Sequence, residues 1–203
     1  ILAISWFWGI GALATSQLIV MVKAELFAST MVATLFLTIF SVGISVGSLL
    51  ATKMLSGEIS ARLVPMATLG MSIGLSLLIA ATRIAVPQAQ ALGIADFLFT
   101  ATGALAITGL SFMAVCGGVF VVPLYAILQT AGNTETRSRD VAANNIINAI
   151  AMVLAAALAA VLTGQGAKVS TIFLLVTIAN LGVAAAAFAM RKGIAFSRKV
   201  ERG

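Results

Sequence analysis

Residues 30–51 read TMVATLFLTIFSVGISVGSLLA, a run without one ionisable side chain. At ~1.5 Å of rise per residue, a helix of that length crosses the ~30 Å hydrocarbon core of a bilayer. No water reaches that core, so backbone N–H and C=O groups must bond to one another, and a helix meets this demand within one segment. Charge returns only at Lys53. Working outward, the same pattern recurs at Ile1–Val22, Leu63–Ala81, residues 100–128, Val141–Thr163 and Val169–Met190. The fourth run is long for one crossing and contains Pro123, so it is either a tilted, kinked helix or a span with an interfacial end. The chain is predicted to be an all-α integral membrane protein with six transmembrane helices. A basic tail or linker follows over residues 191–203.

Composition supports this reading. Of 203 residues, 61% are hydrophobic and 9% charged, with a mean hydropathy of +1.14. A soluble domain of this length needs a polar shell that these residues do not supply. Apolar runs continue to the end of the chain, so a cleavable signal peptide does not explain them. Ile1 already lies inside a run and is not Met, so the chain is expected to be a piece of a longer protein. Cys116 is the sole cysteine and histidine is absent, which argues against an intrachain disulfide, a metal centre or a neutral-pH proton carrier. The net charge of +6 does not signal nucleic acid, because the basic residues gather at membrane edges.

Their distribution sets the orientation. With six crossings, Lys53, Arg62, Arg137, Arg139 and the five basic residues of the tail share one side. Lys23, Arg83 and Lys168 lie on the other. The richer side is expected to be cytoplasmic, with both chain ends on it.

Polar and small residues inside the spans are the functional candidates. Gly43 with Gly47, and Gly70 with Gly74, place small residues four apart, which lets helix backbones approach closely in lipid. That spacing serves static packing or a sliding contact. Gly117-Gly118 ahead of Pro123 weakens the helix locally and marks a candidate bend. Asn144, Asn145 and Asn148 open the fifth span, and Asn144 and Asn148 share a face. They are either inter-helix hydrogen-bonding groups or the polar wall of a substrate cavity. Gln17 and Asn180 pose the same choice, and Tyr125 is an interface anchor or a lining residue. No Asp, Glu, His, Lys or Arg lies within a span, and no serine has a histidine or buried acid to activate it. Neither ion coupling within this chain nor catalysis is therefore expected, and no catalytic residue, cofactor or metal is assigned.

Three stretches carry a resemblance: FSVGISVGSLLATKMLSGEISARLVPMATLGMSIG (40–74), GGVFVVPLYAILQ (117–129) and TETRSRDVAANNIINAIAMVLAAAL (134–158). In order and spacing they resemble the C-terminal half of a lysophospholipid transporter of the major facilitator superfamily. Such transporters occur alone or fused to phospholipid acyltransferase and acyl-carrier-protein ligase domains in Gram-negative bacteria. The resemblance implies half of a twelve-helix fold in the inner membrane, with an N-terminal six-helix half as partner and lysophospholipid as substrate. It also implies a lining that includes Gln17, Tyr125, Asn144 and Asn148. The segment Gly47–Arg62 matches the superfamily's loop between helices two and three but lacks its Asp-Arg pair, which leaves a gating charge network there unsupported. Two alternatives remain beside it: a multidrug or amphiphile exporter of the same superfamily, and a non-transporting membrane anchor for a fused acyltransferase. A membrane-embedded enzyme ranks below both.

Overall fold

A computed structural model describes residues 1–130 and 135–200, the last eleven by backbone alone. The elements in order are α1 (Leu2–Ala24), α2 (Thr30–Leu55), a 3-10 turn (Ala61–Leu63), α3 (Val64–Ile84), α4 (Ile94–Leu98), α5 (Ala101–Thr130), α6 (Arg137–Gly164) and α7 (Val169–Val200). Six of these are long and apolar enough to cross a membrane. The protein is thus an all-helical, multi-pass membrane protein, as the charge-free runs predict.

Local chemistry sets the helix limits. α2 runs one turn beyond the predicted end, to Leu55, and stops where Ser56 turns left-handed at φ 49° and Gly57 follows at φ 82°. The Ser56 N–H bonds back to the Thr52 and Lys53 carbonyls, an ending that a left-handed residue makes possible. Ser60 then accepts a bond from the Arg62 N–H, and Pro65 occupies the first turn of α3, where its missing donor costs nothing. Thr100 accepts from the Gly103 N–H at the start of α5. The fourth run is one continuous helix that passes through Pro123, preceded by the short α4, which the hydropathy pattern does not distinguish. α6 begins at Arg137, a turn ahead of the apolar run. The helix of the sixth run continues to Val200, so the backbone of the basic stretch after Met190 is helical; its side chains, and residues 201–203, lie outside the described residues.

Packing follows the small residues. α2 runs parallel to α5: Gly43 faces Ala114, and Gly47 faces Val115 and Gly118. A Cβ on Gly47 would meet the Val115 carbonyl oxygen, and one on Gly118 the Ile44 carbonyl oxygen. α3 runs antiparallel to α5, and there a Cβ on Gly74 would stand 2.6 Å from the Gly109 oxygen. The predicted small-residue spacing is therefore used for close backbone approach. Gly117 and Gly118, the candidate bend, are buried in these contacts, with Gly117 under the Phe7 ring. Serines along α2 bond the carbonyl four residues back, so Ser41, Ser45 and Ser48 are satisfied within their own helix.

The helix contacts are related by an exchange of α1–α3 with α5–α7. α2 packs along α5, and its counterpart α6 packs along α1, each pair running parallel. α3 and α7, which exchange with each other, are in contact. One pair breaks the rule. α3 lies tightly on α5, whereas α7 barely touches α1. The space left there is a large cavity.

Candidate functional site

Two polar regions and one apolar cavity lie at membrane depth. The first region joins α1, α5 and α6. The Trp8 indole N–H donates to the Tyr125 hydroxyl oxygen at 2.7 Å, and the Asn148 amide donates to the same oxygen at 3.3 Å. The Ser5 hydroxyl in turn donates to Asn148 Oδ1 at 2.8 Å. Asn148 is buried, whereas Trp8 is 39% exposed, so the cluster runs from the interior to an open edge between helices. Helix spacing explains the junction: Ser5 and Trp8 are three apart on one face of α1, and α6 presents Asn148 to it.

Asn144 lies one turn before Asn148, fully buried, and neither its Nδ2 nor its Oδ1 has a partner. An unsatisfied buried amide costs ~1–3 kcal/mol per group, and among the described residues Asn144 is the one amide left so. Asn145 is exposed. Gln17 sits apart from this cluster: its Oε1 accepts from the Thr163 hydroxyl at 3.3 Å, toward the opposite ends of α1 and α6. Of the four predicted lining residues, Tyr125 and Asn148 are thus bonded to each other, Asn144 neighbours them, and Gln17 ties the same two helices elsewhere.

The second polar region is saturated. Asn180 on α7 is fully buried; its Nδ2 donates to the Thr68 carbonyl at 2.9 Å and to the Ser72 hydroxyl at 3.0 Å. Its Oδ1 accepts from the Trp6 indole at 3.1 Å. All three bonds cross between helices, so this amide serves the α1–α3–α7 junction.

The cavity has a volume of about 1620 Å³. α1 forms its back from Leu2 to Leu13, α6 one wall from Ile147 to Leu158, and α7 the other from Leu175 to Ala187. Ser60, Arg62 and Pro65 border it at one end, and Phe120 and Leu124 of α5 at its side. Nothing in the sequence announces it beyond small residues at helical spacing, Ala151 with Ala155 and Ala179 with Ala187. Gln17, Tyr125, Asn144 and Asn148 do not border it. Trp6 does and Trp8 does not, because two residues advance a helix by about 200°, which sends the two indoles to opposite sides of α1.

Among the described residues no group of three His, Cys, Asp or Glu side chains is placed to hold a metal ion. Arg62 pairs with Glu58 at 2.8 Å on the exposed surface and also donates to the Met54 carbonyl at 2.8 Å. No protein-family model, no curated protein and no solved structure matches this chain.

Proposed function

We propose that this chain is half of a transporter that moves a lysophospholipid across the bacterial inner membrane by alternating access. Its partner is an N-terminal six-helix half, and both ends of the chain face the cytoplasm. The observation that carries the reading is the cluster of Trp8, Tyr125, Asn148 and Ser5, with the unpartnered Asn144 one turn away. Polar groups at membrane depth need a partner or water, and a cluster that opens to one side with one amide unpartnered leaves donors and acceptors for a substrate. Amides, an indole and a phenol offer donors and acceptors to a zwitterionic or anionic head group without introducing a buried charge. The exchange of α1–α3 with α5–α7 supports the same reading, since paired three-helix repeats underlie many carriers that rock around a central site. A cationic-amphiphile exporter is less well supported: no acidic side chain stands in the cluster.

The test replaces Asn144 and Asn148 with Leu, singly, in the intact protein and follows uptake of labelled lysophosphatidylethanolamine into spheroplasts. Uptake is expected to fall at least tenfold for Asn148→Leu while the protein remains folded. Undiminished uptake removes the cluster from the substrate path. Protein that never carries lysolipid, yet supports acylation by a fused domain, is an anchor and not a carrier.

A further inference from the structure

Asn144 and Asn148 lie one turn apart on α6, and only Asn148 has partners. The face they share goes on in small residues. Ala151 meets Gly9 of α1, where a Cβ on the glycine would stand 3.7 Å from that of Ala151, and Ala155 and Ala159 follow at helical spacing. Moved on by four positions, this face falls on itself: Asn144 on Asn148, Ala151 on Ala155, Ala155 on Ala159. The side of α6 that walls the cavity repeats likewise, Ile150 on Leu154 and Leu154 on Leu158. α6 is also the least buried of the six spans. It packs along α1 and, apart from the Tyr125 bond, barely touches α5 or α7.

We propose that α6 has two registers on α1 and slides between them. The second is reached by an advance of ~6 Å along the helix axis with a turn of ~40°, the screw that relates residues four apart. It brings Asn144 to the place of Asn148, where Ser5 donates to it and it donates to the Tyr125 hydroxyl. Three exchanges of place are not like for like. Asn148 passes to the half-buried place of Met152. Ile147 passes to that of Ala151, opposite a glycine with no side chain to displace. Ala159 passes to that of Thr163, which ends the 3.3 Å bond to Gln17. The bonds to Ser5 and Tyr125 are thus kept, the orphaned amide moves from full to partial burial, and one long bond is lost, so the gains and losses offset one another. The connection to α7 has room for the advance, since nothing stands within 4 Å of a Cβ on Gly164 or Gly166. The amide left unmet in the register described is the one that the second register uses.

Sliding depends on the packing of α6 and not on the lysolipid reading, and lysolipid uptake enters none of the measurements. The test is disulfide trapping of the intact protein in membranes, in a Cys116→Ser background. The pair Gly9→Cys and Ala151→Cys traps the register described, because a Cβ–Cβ separation of 3.7 Å lies within the ~3.5–4.5 Å that a disulfide asks for. The pair Gly9→Cys and Ile147→Cys is expected to be trapped by the second register. Adding Asn144→Leu is expected to lower the 9–147 yield by about fivefold, the least that one unmet buried amide group is worth, without lowering the 9–151 yield. Adding Asn148→Leu is expected to raise the 9–147 yield, because only Asn144 then serves Ser5 and Tyr125. A 9–147 disulfide that never forms, or one whose yield ignores both asparagines, overturns the proposal and leaves Asn144 an amide met by bound water. A 9–151 pair that fails to form overturns the α1–α6 packing on which the proposal stands.

Discussion

Replacing Asn180 with Val tests how the last helix is held. The two residues have similar helix propensities, so the change reports on tertiary bonds and not on the helix itself. Three inter-helix bonds disappear, those to the Thr68 carbonyl, the Ser72 hydroxyl and the Trp6 indole. Side-chain hydrogen bonds between membrane helices are worth ~0.6 kcal/mol each on average, which sums to ~2 kcal/mol, or about thirtyfold in the unfolding equilibrium. The Thr68 carbonyl keeps its place in the α3 ladder and the Ser72 hydroxyl keeps its bond to that carbonyl, so the loss falls mainly on the Trp6 indole. The assay is reversible unfolding in mixed detergent micelles, followed by helix signal. A shift under ~0.5 kcal/mol, less than one average bond, refutes the view that this amide fastens α7 to α3 and α1.

Three further outcomes follow from the packing. Gly47→Ala is expected to destabilise by ~1–3 kcal/mol, because its Cβ meets the α5 backbone, while Gly11→Ala, inside α1 with nothing within 4 Å, is expected to be neutral or to stabilise by up to ~1 kcal/mol; equal effects in mixed-micelle unfolding contradict the α2–α5 crossing. In a Cys116→Ser background, single cysteines at 58 and 137 are expected to react with a membrane-impermeant maleimide from one face, and cysteines at 90 and 166 from the other; any exchange between the two pairs breaks the six-span order. Glu25 accepts from the Ser170 N–H at the start of α7, at 3.2 and 3.3 Å to its two oxygens. Glu25→Gln keeps an acceptor but removes charge from a helix N-terminus, so a loss of ~0.3–1 kcal/mol that shrinks with added salt is expected, and a salt-independent loss assigns the effect elsewhere.

The spans were legible because the bilayer imposes a rule on single segments: a run such as residues 30–51 declares itself without knowledge of its neighbours. Helix ends were less so, since the Ser56–Gly57 turn and the extension of α6 to Arg137 lie in water-facing sequence where hydropathy is silent. Which face of each helix meets protein was hardly legible at all. Lipid tails and protein interiors are equally apolar, so the exposed Val153 and Leu154 read the same as the buried Leu75 and Leu78. Polar residues escaped this degeneracy in part. Asn148 and Tyr125 were singled out one by one and prove to be bonded to each other, yet the roles of Ser5 and Trp8 depend on a partner more than a hundred positions away. Asn180 posed the same choice as Asn144, and only the fold separates an amide with three bonds made from one with none.

The carboxylate of Glu25 at the head of α7 has a mechanical consequence. Together with the Thr163–Gln17 bond it buckles the first helix to the last two at the end remote from Arg62. From that buckle α6 and α7 run on as the two walls of the cavity. The backbone at Val200 lies thirty residues, or ~45 Å, beyond Ser170 along α7, so a tilt of one degree at the buckle displaces it by ~0.8 Å. Small readjustments of whatever occupies the gap are thereby magnified along the last turns of the helix, residues 191–200, which hold four of the chain's twelve basic residues.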